Sequence, residues 1–190
     1  MTERIVQEGP GFVIVQTDHW GPAVPYPGFE HEDGDRNHGF TDLRDRPDLV
    51  ASIPEAQKSM GLAALLRAIN EPCSPLMSLG CECAYFDQEG YVGGYIDVTF
   101  RDPRRNADPK ALIGLATSIL TGVPGNEVHY MSFAMVVEPL KLFFNLPGRY
   151  GLMMKPQGHG RLAADAWRAF DHAALALAGA VRSIVKTDPR

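Results

Sequence analysis

The chain has 190 residues, is 45% hydrophobic and 22% charged, and carries a formal net charge of −5. This composition lies near the globular average and excludes wholesale disorder. The length suits one domain that buries about 70% of its unfolded surface without disulfide or metal staples. The acidity is local: residues 1–50 hold ten Asp/Glu against four Lys/Arg, whereas residues 51–190 hold thirteen against fourteen. A nucleic-acid binder shows the opposite signature, a basic stripe that displaces counterions from phosphates.

Cys73, Cys81 and Cys83 are too few and too clustered for a secreted disulfide framework, and they read as small buried hydrophobes in a reducing compartment. The N-terminus, Met1 to Glu8, lacks a basic segment followed by an apolar one, and no run approaches the roughly 18 apolar residues of a membrane span. The expectation is a cytoplasmic protein that meets neither membrane nor nucleic acid.

In chain order, Phe12 to Thr17 forms a short apolar run that predicts a strand. From Asp18 to about Asp48 periodicity disappears, and prolines, glycines, acids and three histidines dominate. A connection of this length in a compact domain is usually functional or disordered. Ser52 and Glu55 have the spacing of a capping box, and Leu62, Leu65, Leu66 and Ile69 follow on one helix face before Pro72 and Pro75. Met77, Leu79, Cys81, Cys83 and Tyr85 alternate with smaller or polar residues, as do Val92, Ile96, Val98 and Phe100. The turn Asp87 to Gly90 joins the two runs as an antiparallel hairpin, expected in the middle of a sheet. Asp108-Pro109 opens a second helix with Leu112, Leu115, Ala116 and Ile119 as its stripe. Val128 to Val137 predicts a central strand, Leu140–Phe144 and Tyr150–Met154 a further hairpin, and Arg161 to Lys186 a long terminal helix.

This order predicts a single α+β domain over 1–190, an antiparallel sheet with helices on one face. Its first six elements match the ferredoxin-like, split βαβ order, with extra strands and the long helix added.

Candidate sites are few. Asp33, Asp35 and Asn37 copy the start of a calcium loop, but His38 stands where that loop needs Gly and Arg44 where it needs Glu. A zinc site would draw on His31 and His38, which lack the i, i+4 spacing of a helical pair. Gly158, His159, Gly160 and Arg161 lead into the last helix and are candidates to hold an anion on free backbone N–H groups. Cys73 has no basic neighbour in sequence to activate its thiol. Ser78 lacks the first glycine of a nucleophile elbow, and Gly90 to Gly94 is not followed by the Lys-Ser/Thr of a phosphate loop. The only basic cluster, Arg101, Arg104, Arg105 and Lys110, is diluted by Asp102 and Asp108.

With no complete catalytic motif and no cofactor signature, the leading expectation is a non-enzymatic binding module. Trp20, Tyr26, Phe29, Glu30, Glu32, Asp33 and Asp35 would meet a protein with a basic surface, in the manner of an inhibitor or immunity-type protein. The alternative is a small-ligand or metal-dependent enzyme with its site between the 18–48 loop and Gly158–Arg161.

Overall fold

A computed structural model describes residues 2–30, 36–124 and 131–187. The architecture is α+β: one seven-stranded sheet, a small two-stranded ribbon, and helices packed on one sheet face. The strands are β1 (Glu3–Gly9), β2 (Phe12–Thr17), β3 (Gly21–Val24), β4 (Phe29–Glu30), β5 (Arg36–Asn37), β6 (Leu76–Phe86), β7 (Tyr91–Phe100), β8 (Met131–Phe143) and β9 (Arg149–His159). The helices are α1 (Pro54–Lys58), α2 (Met60–Asn70), α3 (Pro109–Gly122) and α4 (Ala163–Thr187).

The sheet runs β1-β2-β8-β9-β7-β6, with β3 also paired to β8. It is mixed rather than wholly antiparallel, because β2 and β3 both run parallel to β8 while every other pair is antiparallel. This order departs from the split βαβ arrangement, in which the first strand lies beside the third. Here β8 and β9 separate β2 from β7. The cause is the long hairpin β8–β9, whose ten paired positions from Met131↔Gly158 to Leu140↔Arg149 fill the place the first strand would take.

The β6–β7 hairpin forms as its alternation predicts, but β6 is the sheet's edge, not its middle. A bulge between Ser78 and Gly80 also breaks the alternation. An extra residue reverses the facing of everything beyond it. Met77 and Leu79 therefore pack on the outer face with Val24, Leu140 and Phe143, while Cys81, Cys83 and Tyr85 turn to the helix side.

Beneath the helices, Ile14, Val92, Ile96, Val98, Met135, Val137, Leu152 and Met154 meet Leu62, Leu65, Leu66, Ile69, Leu112, Ile119, Phe170 and Leu177 in one core. The predicted helix stripes are thus the buried ones. The Asp108 cap forms as expected, its carboxylate accepting the Lys110 N–H at 2.9 Å. The Ser52 cap does not. Ser52 sits in a 3₁₀ turn (Pro47–Ser52) and its hydroxyl donates back to the Leu49 carbonyl at 2.7 Å. The cap belongs to Ser59, whose Oγ accepts the Leu62 N–H at 3.0 Å. No helix among the described residues is long and apolar enough to cross a membrane.

The described parts of the segment from Asp18 to Asp48 form a strap over the outer face. β3 extends the line of β2 along β8, β4 and β5 pair through Phe29↔Asn37 and Glu30↔Arg36, and Tyr26, Phe40 and Phe144 interlock edge-on.

Candidate partner-binding groove

Edge strands expose a row of unpaired backbone groups, which proteins commonly mask. The first half of β6 is masked by side chains. Asn70 donates to Ser78 Oγ at 2.9 Å and accepts the Ser78 N–H at 3.2 Å. Arg101 donates to the Leu76 carbonyl at 2.7 Å and pairs with Asp45 at 2.8 Å. The Tyr26 hydroxyl donates to the Leu79 carbonyl at 3.2 Å. Beyond that point the masking stops. From Gly80 to Tyr85 β7 supplies the only backbone hydrogen-bond partners among the described residues.

Ser78–Ala84, most of it from this open stretch, forms one wall of a groove of about 260 Å³. Asn37–Leu43 of the strap and Ile53–Lys58, including α1, form the others, with Tyr26, Leu66 and Tyr95 also contributing. Its lining carboxylates are Glu55 and Glu82, and Lys58 is the only Lys or Arg among the lining residues. Two thiols face it. Burial pushes the Cys83 thiol up to about 11 against the pull of Lys58, and the Cys81 thiol further still, with nearby carboxylates adding to both shifts. A thiolate is therefore disfavoured on both.

Next to the groove, under the strap, lies a pair of buried acids. Asp97 of β7 and Glu138 of β8 are 7% and 5% exposed. Desolvation, reinforced by Glu138, lifts the Asp97 carboxyl to about 8. Desolvation lifts Glu138 to about 7 against the pull of Lys155. Asp97 Oδ1 has no hydrogen-bond partner among the described residues. Desolvation, and secondarily the charge of Asp97, pushes the Tyr26 phenol to about 12. That hydroxyl crowds Gly80, lying 2.7 Å from where a Cβ would stand, and Asp97 Oδ2 lies 3.9 Å from the same point.

The structure separates the residues grouped by sequence. Tyr26 and His38 line the groove. Trp20, 57% exposed, instead borders a shallow depression with Asp18, His19 and Lys141. Phe29 is 51% exposed on β4, and Glu30 is exposed beside it. His31, Glu32, Asp33 and Asp35 lie outside the described residues. Among the described residues no three His, Cys, Asp or Glu side chains gather as metal ligands.

Gly158 and His159 belong to β9 rather than to the start of α4. A Cβ on Gly158 would stand 2.1 Å from the Phe170 backbone nitrogen, and one on Gly160 would stand 2.4 Å from that of Ala166. These glycines let α4 lie against the sheet. None of Gly158, His159, Gly160 and Arg161 lines the groove, so the expected junction between them and the strap is not where this cavity forms.

Asp97 and Glu138 escaped the sequence reading. Asp97 alternates with Ile96 and Val98 and so resembles the solvated half of a strand. Only the distant strap buries it. The available signal was Glu138 directly after the apolar run that ends at Val137.

No family model, curated protein or solved structure matches this chain.

Proposed function

We propose that the protein is a non-enzymatic binding module that receives a partner protein with a basic surface, in the role of an inhibitor or immunity-type protein. The observation that carries this reading is the groove itself. The acidic strap builds one of its walls, and its fixed charges are Glu55 and Glu82 against Lys58. The segment joining β4 to β5 adds Glu32, Asp33 and Asp35 in sequence next to the lining residue Asn37. Such charge steers a basic partner into encounter, and half-buried Tyr26 offers an aromatic contact. The raised thiols and the absence of a complete catalytic motif favour binding over chemistry. Three unpaired thiols fit the reducing cytoplasm.

Affinity capture from the native host with the wild-type chain and a Glu55→Lys/Glu82→Lys variant tests the reading. A basic protein should be captured by the wild type and by Glu89→Lys, a control in the exposed β6–β7 turn, and lost with the groove variant. Association should also slow and lose its salt dependence when Glu30, Glu32, Asp33 and Asp35 are reversed. Equal capture by the groove variant would remove the groove from the interface.

A further inference from the structure

We infer that the groove binds an extended segment of the partner as an added β-strand along the Gly80–Tyr85 edge of β6, with Lys or Arg opposite Glu82. This rests on the binding reading above and specifies its mode.

The edge is treated in two ways along one strand. From Leu76 to Leu79 the outward backbone and neighbouring groups are engaged by Asn70, Arg101 and Tyr26. From Gly80 to Tyr85 no side chain does this among the described residues, and the Cys83 thiol points to the Glu55 carbonyl at 3.7 Å. The open stretch is recessed, because the strap and α1 rise on either side of it. A recessed edge is shielded from another sheet's flat edge yet admits a single extended chain, whose main-chain hydrogen bonds supply affinity while alternate side chains supply specificity.

The bulge sets that specificity. After Gly80, Cys81 and Cys83 turn to the helix layer, and Glu82 takes the opposite face beside its register partner Tyr95. An added strand therefore places every second side chain against exposed Glu82 and the strap, and the others towards Ile53, Leu66 and the two thiols. A cation opposite Glu82 makes a favourable cross-strand pair, and small apolar residues suit the thiol side. A second copy of this chain is the poorer occupant. Edge-to-edge pairing through this stretch would set Glu82 near its own counterpart, between two chains of net charge −5.

Labelled peptides of about nine residues, alternating Val with Lys, Ser or Glu, should be titrated against the full-length protein by fluorescence anisotropy, with amide exchange followed over Gly80–Tyr85. The Lys/Val peptide should bind about tenfold or more tighter than the Glu/Val peptide, with Ser/Val between. Binding should slow exchange at Gly80–Tyr85, alternate backbone N-methylation should abolish it, and Glu82→Lys should reverse the order of Lys and Glu peptides. Tight binding that survives N-methylation overturns strand addition while leaving a basic partner in place. N-methyl-sensitive binding with equal affinity for the three peptides overturns the basic preference. Protection at β1 rather than β6, or a protein dimer that the peptide dissociates, assigns the edge differently and overturns the proposal. Loss of the captured partner in the groove variant is a separate readout, so the two failures are distinguishable.

Discussion

On the face beneath α2, α3 and α4, β7 contributes Val92, Ile96 and Val98, all at 0% exposure, and β8 contributes Met135 and Val137 to the same apolar layer. On the opposite face the same two strands contribute Asp97 and Glu138, buried under the strap beside a smaller apolar cluster of Val24, Met77, Leu79, Leu140 and Phe143 with Phe40 and Phe144. The faces differ in what burial achieves. Removing apolar surface from water on the helix side is worth about 25 cal/mol per Å². Burying a carboxyl without a full set of partners on the strap side costs free energy and shows itself as raised proton affinity. Stability therefore resides with the helix layer. The strap face carries polar groups that a purely structural sheet would have replaced with Val or Leu, and it borders the open edge.

Core truncations should separate the two faces most strongly. Phe170→Ala should cost about 3–5 kcal/mol, because the ring is fully buried and edge-packed on Trp167 at 6.0 Å. Phe40→Ala, half-buried in the strap, should cost about 1–2 kcal/mol, since it loses part of a smaller cluster. Denaturant midpoints at constant m-value decide it. Equal losses would mean that the strap is as integral as the helix layer.

The acid pair distinguishes the two faces through pH. Both carboxyls are raised in the folded protein, to about 8 and about 7, above an unfolded range near 4. The folded state thus holds protons that the unfolded state has already released. Their stabilising contribution is complete below about pH 4 and declines as pH rises, by up to about 1.4 kcal/mol per pH unit for each proton. It is gone above the folded values. Asp97→Asn should flatten the stability profile between pH 5 and about 8, and Glu138→Gln should do so less, because Lys155 already opposes that shift. Urea midpoints measured across this range check it. A profile in Asp97→Asn as steep as wild type would place the titrating group elsewhere.

Local patterns in the sequence carried most of the helix face. The stripes of α2 and α3, the span of α4, the Asp108 cap and the inward residues of β7 all follow from periods and spacings. What stayed hidden is non-local. No periodicity states that β9 inserts between β8 and β7, or that β2 runs parallel to β8. The bulge at Ser78/Gly80 is invisible to an alternation count and reverses Cys81 and Cys83. The strap shows no periodicity because its conformation is fixed by packing across the sheet, with Tyr26 reaching a carbonyl far along the chain at Leu79. For that reason Trp20, Tyr26 and Phe29 look alike in sequence, yet only Tyr26 lines the groove.

The smallest effect tests the helix layer's own wiring, where the spacing points to one serine and the structure caps the helix with another. Ser52 stands three residues before Glu55, which is the spacing of a capping box, yet its hydroxyl is exposed and turned back to Leu49. Ser59 lacks that sequence signature, but its Oγ accepts the Leu62 N–H and donates to Asp171 of α4, whose carboxylate also accepts the Gly61 N–H at 2.9 Å. One serine thus caps α2 and ties it to α4 at a site 1% exposed. Removing a cap costs about 1 kcal/mol, and stranding the buried partner adds to that, so Ser59→Ala should lose about 1–2 kcal/mol. Ser52→Ala should stay within about 0.5 kcal/mol of wild type, because its hydroxyl is exposed and water can replace it at the Leu49 carbonyl. Ser59→Asp discriminates further. Aspartate is a good capping residue, and if capping alone mattered the variant would be stable. Set against Asp171, its charge repels, so it should be less stable than Ser59→Ala at neutral pH and recover on acidification as one carboxylate takes up a proton. Equal losses at Ser52 and Ser59 would return the helix start to the capping box and detach α2 from the Asp171 anchor.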